Sequence, residues 1–187
     1  MQEPLRRFLF IVAVSVAVAG DALAGTAASG LHLSGRVSAD MGSWVRQAGE
    51  NVPLPNARLT VRSGSARFEG KTIYLPAGAS VLAIRGLFLH ELGHAYDAYG
   101  MTPERRQEFL RIASVTCTWT SLHCRTARWV SGPGVYVDVR PQEMFAEMYA
   151  ACALGLTERG YQDAGYRTYG WVPPDGTDAA LCSVVHG

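Results

Sequence analysis

Leu89-His90-Glu91-Leu92-Gly93-His94-Ala95 sets two histidines four residues apart inside a run whose apolar positions recur at helical spacing. On a helix such residues stand one above the other, so both imidazoles can close on one metal ion from the same face. Glu91 lies one step around, where its carboxylate reaches a water on that ion rather than the ion itself. Zinc draws the pKa of its water towards neutrality, and a carboxylate so placed takes the proton as the water attacks a carbonyl. Three fixed positions in five recur by chance, and a histidine on an apolar helix is often simply packed. The surrounding apolar helix, an export signal and a second, acidic helix downstream favour the metal.

Working outward, the helix is predicted over 80–99 and should stop at Gly100, a glycine suited to the left-handed conformation. Ile84, Phe88, Leu92, Ala95 and Tyr99 share the side that should face the core. Gly93 costs about 1 kcal/mol relative to alanine inside a helix, so another backbone is expected to pass close there. Pro141 opens a second helix over 141–154, on which Glu143 and Glu147 are four apart while Met144, Phe145, Met148 and Tyr149 face the core. Like charges at that spacing repel, and a cation beside them removes the difficulty. A solvated acidic stripe is the plainer reading, but apolar neighbours on both sides disfavour it.

A catalytic zinc takes three protein ligands and keeps one position open. Asp97 is awkwardly placed to bend back to a metal held by the preceding turn, and His123 is a lone loop histidine. The metzincin continuation needs Gly at position 97 and His at position 100, where the chain has Asp97 and Gly100. That leaves Glu143 as the best third ligand. Glu147, one turn on, is placed to accept the free ring N–H of a ligating histidine and fix its tautomer.

The stretches His90-Glu91-Leu92-Gly93-His94-Ala95-Tyr96-Asp97 and Glu143-Met144-Phe145-Ala146-Glu147, with Tyr136 seven residues ahead of Glu143, resemble the gluzincin metallopeptidases. Within them the resemblance is to the anthrax lethal factor-like and Pro-Pro endopeptidase group. It implies zinc on His90, His94 and Glu143, Glu91 as general base, Glu147 as an outer group, and Tyr136 stabilising the oxyanion or donating a proton. The fold it implies is α+β, a compact zincin-like domain with a small twisted sheet packed on the zinc-binding helix and the Glu143 helix below. The resemblance is confined to those stretches, so substrate and cleavage preference stay open.

A chain of 187 residues with 48% hydrophobic content suits one well-buried core. The formal charge of +1 offers no basic field to nucleic acid. Arg6 and Arg7, the apolar run over 8–19 and Ala22-Leu23-Ala24 read as a signal peptide over 1–24, leaving a catalytic domain over 25–187. A membrane anchor is the competing reading, but Gly20 and Asp21 cut the run short of the roughly 20 residues a spanning helix needs. In an exported chain the four cysteines should form disulfides, with Cys117–Cys124 and Cys152–Cys182 the favoured pairing; a cysteine zinc site lacks Cys-x-x-Cys spacing.

Around the motifs, a helix is predicted near 41–48, and strands at Leu59-Thr60-Val61-Arg62 and Thr72-Ile73-Tyr74-Leu75. The second strand is either an exposed edge along which a peptide substrate adds, or part of a core hairpin. Thr102-Pro103-Glu104 starts a helix running to about 115. The segment over 117–134 reads as a long loop, and that over 157–187 as coil packing back through Tyr161, Tyr166, Tyr169 and Trp171. The expectation is a secreted, monomeric zinc endopeptidase acting on a peptide or protein, with no nucleic acid and no stable membrane anchor after signal cleavage. A noncatalytic zinc-stabilised binding module and a metallohydrolase of cell-wall peptides are the rivals. Intact Glu91 and Tyr136 argue against the first of them.

Overall fold

The computed structural model describes residues 31–33, 38–127, 136–166 and 169–187. The signal-peptide reading over 1–24 falls outside them. In chain order the elements are β1 (Leu31–His32), α1 (Ser38–Asn51), β2 (Leu59–Ser63), β3 (Arg67–Glu69), β4 (Thr72–Leu75), α2 (Val81–Tyr99) and α3 (Pro103–Ile112). Then follow β5 (Arg125–Ala127), β6 (Tyr136–Asp138), α4 (Pro141–Ala153), α5 (Glu158–Asp163) and α6 (Asp178–His186). The fold is thus mixed α+β. Among the described residues no helix is long and apolar enough to cross a membrane.

The main sheet has the order β1-β2-β4-β3. Leu59 and Val61 on β2, and Ile73 and Leu75 on β4, are buried in alternation, as a half-buried sheet requires. The strands that the sequence suggested as a hairpin pair in parallel, Val61 opposite Ile73. The chain leaves β2, runs as β3 along the far side, and turns at Gly70, whose φ of +58° suits glycine, to enter as β4 between them. β4 is therefore internal, and the expectation of substrate along Thr72 to Leu75 is corrected: the edge is β3, a three-residue strand too short to read from sequence.

Helix α2 begins where the Ser80 hydroxyl accepts the Ala83 N–H at 3.2 Å. Ile84, Phe88, Leu92 and Ala95 are buried as expected, but Tyr99 is exposed. Its hydroxyl donates to the Gly70 carbonyl at 2.9 Å, which holds it at the surface. Gly100 closes the helix at φ −125°, not in the left-handed region. It is needed for room, since a Cβ there would stand 2.4 Å from the Tyr96 ring.

α2 packs on α4 on one side and on β3 and β4 on another. At Gly93 the expected close approach is present: an added Cβ would meet the Ala146 Cα at 2.9 Å and the Tyr149 Cβ at 3.0 Å. α4 is buried almost all round, including Met144, Phe145, Met148 and Tyr149. Both expected disulfides are present, Cys117–Cys124 in the loop after α3 and Cys152–Cys182 between α4 and α6. The segment after 157, read from sequence as coil, holds α5 and α6; Thr157 caps α5, and the Asp178 carboxylate accepts the Glu158 N–H at 2.7 Å. Short helices among glycines and prolines give too little periodicity to detect.

Gly93→Ala should lower stability by about 1–3 kcal/mol despite alanine's better helix propensity, because the new methyl meets backbone rather than a yielding side chain. Chemical denaturation of the two proteins measures this, and an unchanged midpoint would refute the packing account.

Candidate metal centre

His90 and His94 project from one face of α2, and Glu143 from the first turn of α4, where the helix dipole favours an anion. Their donor atoms converge: His90 Nε2 and His94 Nε2 are 3.1 Å apart, and each is 3.1 Å from Glu143 Oε2. These three residues form a cluster that could hold a metal ion. Other sequence candidates stand apart from it. The Asp97 carboxylate accepts from Arg106 Nε at 2.8 Å and from Trp119 Nε1 at 3.2 Å. His123 is exposed and hydrogen-bonded through Nδ1 to Asp138 at 2.8 Å.

Burial drives the electrostatics. It pushes the Glu143 carboxyl up, but hydrogen bonds to both imidazoles hold it well below the ordinary carboxylate range. His90 is lowered, chiefly by burial. Burial also depresses His94, yet its hydrogen bond to Glu143 and the surrounding carboxylates outweigh this and raise it. Glu91, almost fully buried, is raised to about 7, first by burial and partly offset by a hydrogen bond from the Phe68 backbone on β3.

Glu91, His94 and Glu143 line a cavity of about 370 Å³, whose wall includes Ala66, Arg67 and Phe68 of the edge strand. Asp97, Ala98, Leu122, Arg140, Gln142 and Tyr169 complete its lining. From sequence Tyr169 was expected only to help pack the tail back, yet it is exposed to the cavity; it lies far along the chain from both motifs, and no spacing rule connects it to them. Its ring centre is 5.6 Å from that of His90. The phenol is raised to about 12, first by burial and then by the Glu143 carboxylate that it meets. The Tyr136 backbone lies in β6, while its side chain is outside the described residues.

Glu147 is fully buried, and one of its oxygens accepts the Tyr169 backbone N–H. The other has no hydrogen-bond partner among the described residues. The expected bond from a ligating histidine is thus not among those formed: the segment after α5 has taken the carboxyl instead. Behind it sits Glu158, also fully buried, with one oxygen accepting from Gln162. Burial pushes both carboxyls above the ordinary range, helped by the charge of Glu158 on Glu147 and of Asp178 on Glu158.

Comparison of the chain with protein-family models, with curated proteins and with solved structures finds no match. Function must therefore be reasoned from the site itself.

The buried pair has a consequence for stability. The folded protein keeps protons on Glu147 and Glu158 that the unfolded chain releases above about pH 4.3. Their contribution is full below that pH and is lost as pH rises towards the raised folded values. Glu158→Gln removes one such proton site, so thermal melts should show the variant gaining on the wild type between about pH 5 and about pH 8. A difference independent of pH would mean that Glu158 is ionised when folded.

Proposed function

We propose that this chain is an exported zinc-dependent endopeptidase of the gluzincin kind. The observation that carries the reading is one cavity lined by His94 and Glu143 of a two-histidine, one-glutamate cluster, by the buried Glu91 carboxyl and by β3, the edge strand among the described residues. The donor set suits zinc: two ligands about 2.0 Å from a tetrahedral centre stand about 3.3 Å apart, close to the 3.1 Å separations here. Two imidazoles and one carboxylate are also a catalytic rather than a structural set, since they leave a fourth position for water or substrate.

Bound zinc would supply Lewis acidity, polarising the scissile carbonyl and lowering the pKa of the attacking water. Glu91 takes the proton from that water as its oxygen bonds to the carbonyl carbon, and returns it to the amine as the C–N bond breaks. The Phe68 N–H holds the Glu91 carboxylate from the side of β3. An extended peptide lying along β3, whose Phe68 N–H is engaged by Glu91, would bring its backbone past Glu91 and His94. The resemblance in the motif stretches assigns the oxyanion to Tyr136, and Glu147 supports the site from beneath through the Tyr169 backbone. Two disulfides suit an oxidising compartment, consistent with export.

The test is cleavage of a peptide library by the purified protein, read by mass spectrometry with and without a chelator. Chelator-sensitive cleavage is expected, and none by a folded, zinc-loaded protein would favour the noncatalytic module. Glu91→Ala should lose at least about 100-fold in turnover while keeping its zinc, the scale on which general bases contribute. Glu143→Ala should weaken zinc binding by more than the roughly 10–100-fold that loss of a ligand's hydrogen-bond partner costs. Chelator competition measures that affinity, and an unchanged value would remove Glu143 from the ligand set.

A further inference from the structure

The aromatic residues from α5 onward include one that is treated differently. Tyr161, Tyr166 and Trp171 are buried, as packing residues should be, whereas Tyr169 is 55% exposed and lines the cavity shared by Glu91, His94 and Glu143. Its ring leans on His90, at 5.6 Å between centres and 31° between planes, and its phenol meets the Glu143 carboxylate. Its backbone is fixed as well. The Tyr169 N–H donates to Glu147, one helical turn beyond Glu143 on α4, so the element that positions the third ligand also positions this tyrosine.

We infer that Tyr169 is a catalytic residue whose phenol O–H donates a hydrogen bond to the oxyanion of the tetrahedral intermediate. The inference rests on the peptidase reading and deepens it. A carbonyl polarised at the cluster must lie within a few ångströms of the His94 and Glu143 donor atoms, and Tyr169 is the described phenol at that place. An ordinary phenol holds its proton at neutral pH, so it can serve as a standing donor. Before attack, the O–H points at the Glu143 carboxylate. As the water oxygen bonds to carbon and the carbonyl π pair moves onto oxygen, a second anionic acceptor develops beside it, and the bond transfers. The phenol keeps its proton throughout, and Glu91 alone carries the proton from water to the leaving amine. Donors aimed at charge present only in the transition state accelerate the reaction without tightening substrate binding.

The experiment compares the wild type, Tyr169→Phe, Tyr136→Phe and Glu91→Ala at saturating zinc, on the peptide that the wild type cleaves best. A phosphinic peptide of the same sequence serves as the tetrahedral probe, and zinc affinity is read by chelator competition. Tyr169→Phe should lower kcat by about 100-fold with KM within about twofold, the cost of losing one oxyanion donor. It should weaken the phosphinic peptide by a similar factor and leave zinc affinity unchanged, with Tyr136→Phe the smaller loss. Wild-type kcat and probe affinity in Tyr169→Phe would overturn the inference while the peptidase reading stands. So would a loss confined to zinc affinity, which would make Tyr169 a positioning residue for Glu143. A wild type that cleaves no peptide, or a Glu91→Ala variant as active as wild type, would overturn the underlying reading and this inference with it.

Discussion

The approach of α2 to α4 across Gly93 is the contact on which the rest depends. Gly93 is three residues beyond His90, and Ala146 three beyond Glu143, so cluster residue and contact point share a face on each helix. With an added Cβ standing only 2.9 Å from the Ala146 Cα, the separation of the helices is set by backbone. A side chain of any size would push them apart, and the 3.1 Å triangle of His90, His94 and Glu143 would open. The glycine that weakens α2 as an isolated helix is what lets its histidines reach a carboxylate from elsewhere in the chain.

Closing the helices so tightly places several acids in a small apolar volume. Glu143, Glu147 and Glu158 follow one another inwards, and three buried negative charges without partners would be prohibitive. The structure resolves this in two ways. Glu143 stays ionised because two imidazoles face it, while Glu147 and Glu158 are driven by burial towards their neutral forms. Of these three acids, negative charge is thereby concentrated at Glu143, the one that lines the cavity. A cation entering there meets the ionised Glu143 beside the two imidazoles.

What could be read from the sequence was whatever helical periodicity makes local. His90, Glu91 and His94 lie within two turns, and Glu143 declared itself because a carboxylate on an apolar helix needs a reason. Gly93 was legible for the same cause, a residue costly to its own helix. The disulfide pairing followed from export and spacing. Strand β3, at three residues, was too short to carry alternation, and the insertion of β4 between β2 and β3 follows from chain crossing rather than from any local pattern. Gly100 was read through its backbone freedom when its role is steric, against Tyr96. Tyr169 depended wholly on how the tail returns.

That return explains how the segment from α5 to α6 buries Tyr161, Tyr166 and Trp171. Cys152–Cys182 ties α6 to the end of α4, and Trp171 packs against Phe109, with ring centres 6.2 Å apart. Phe109 in turn meets Phe145 at 5.4 Å, near Glu143 and Ala146 on α4. Between these anchors the chain has little freedom, and the Glu147 carboxyl removes more by holding the Tyr169 N–H. From sequence, the glutamate one turn beyond Glu143 was expected to accept the ring N–H of a histidine of the cluster. Here it reaches the site by another route, spending its hydrogen bond on the backbone that presents a phenol to the cavity.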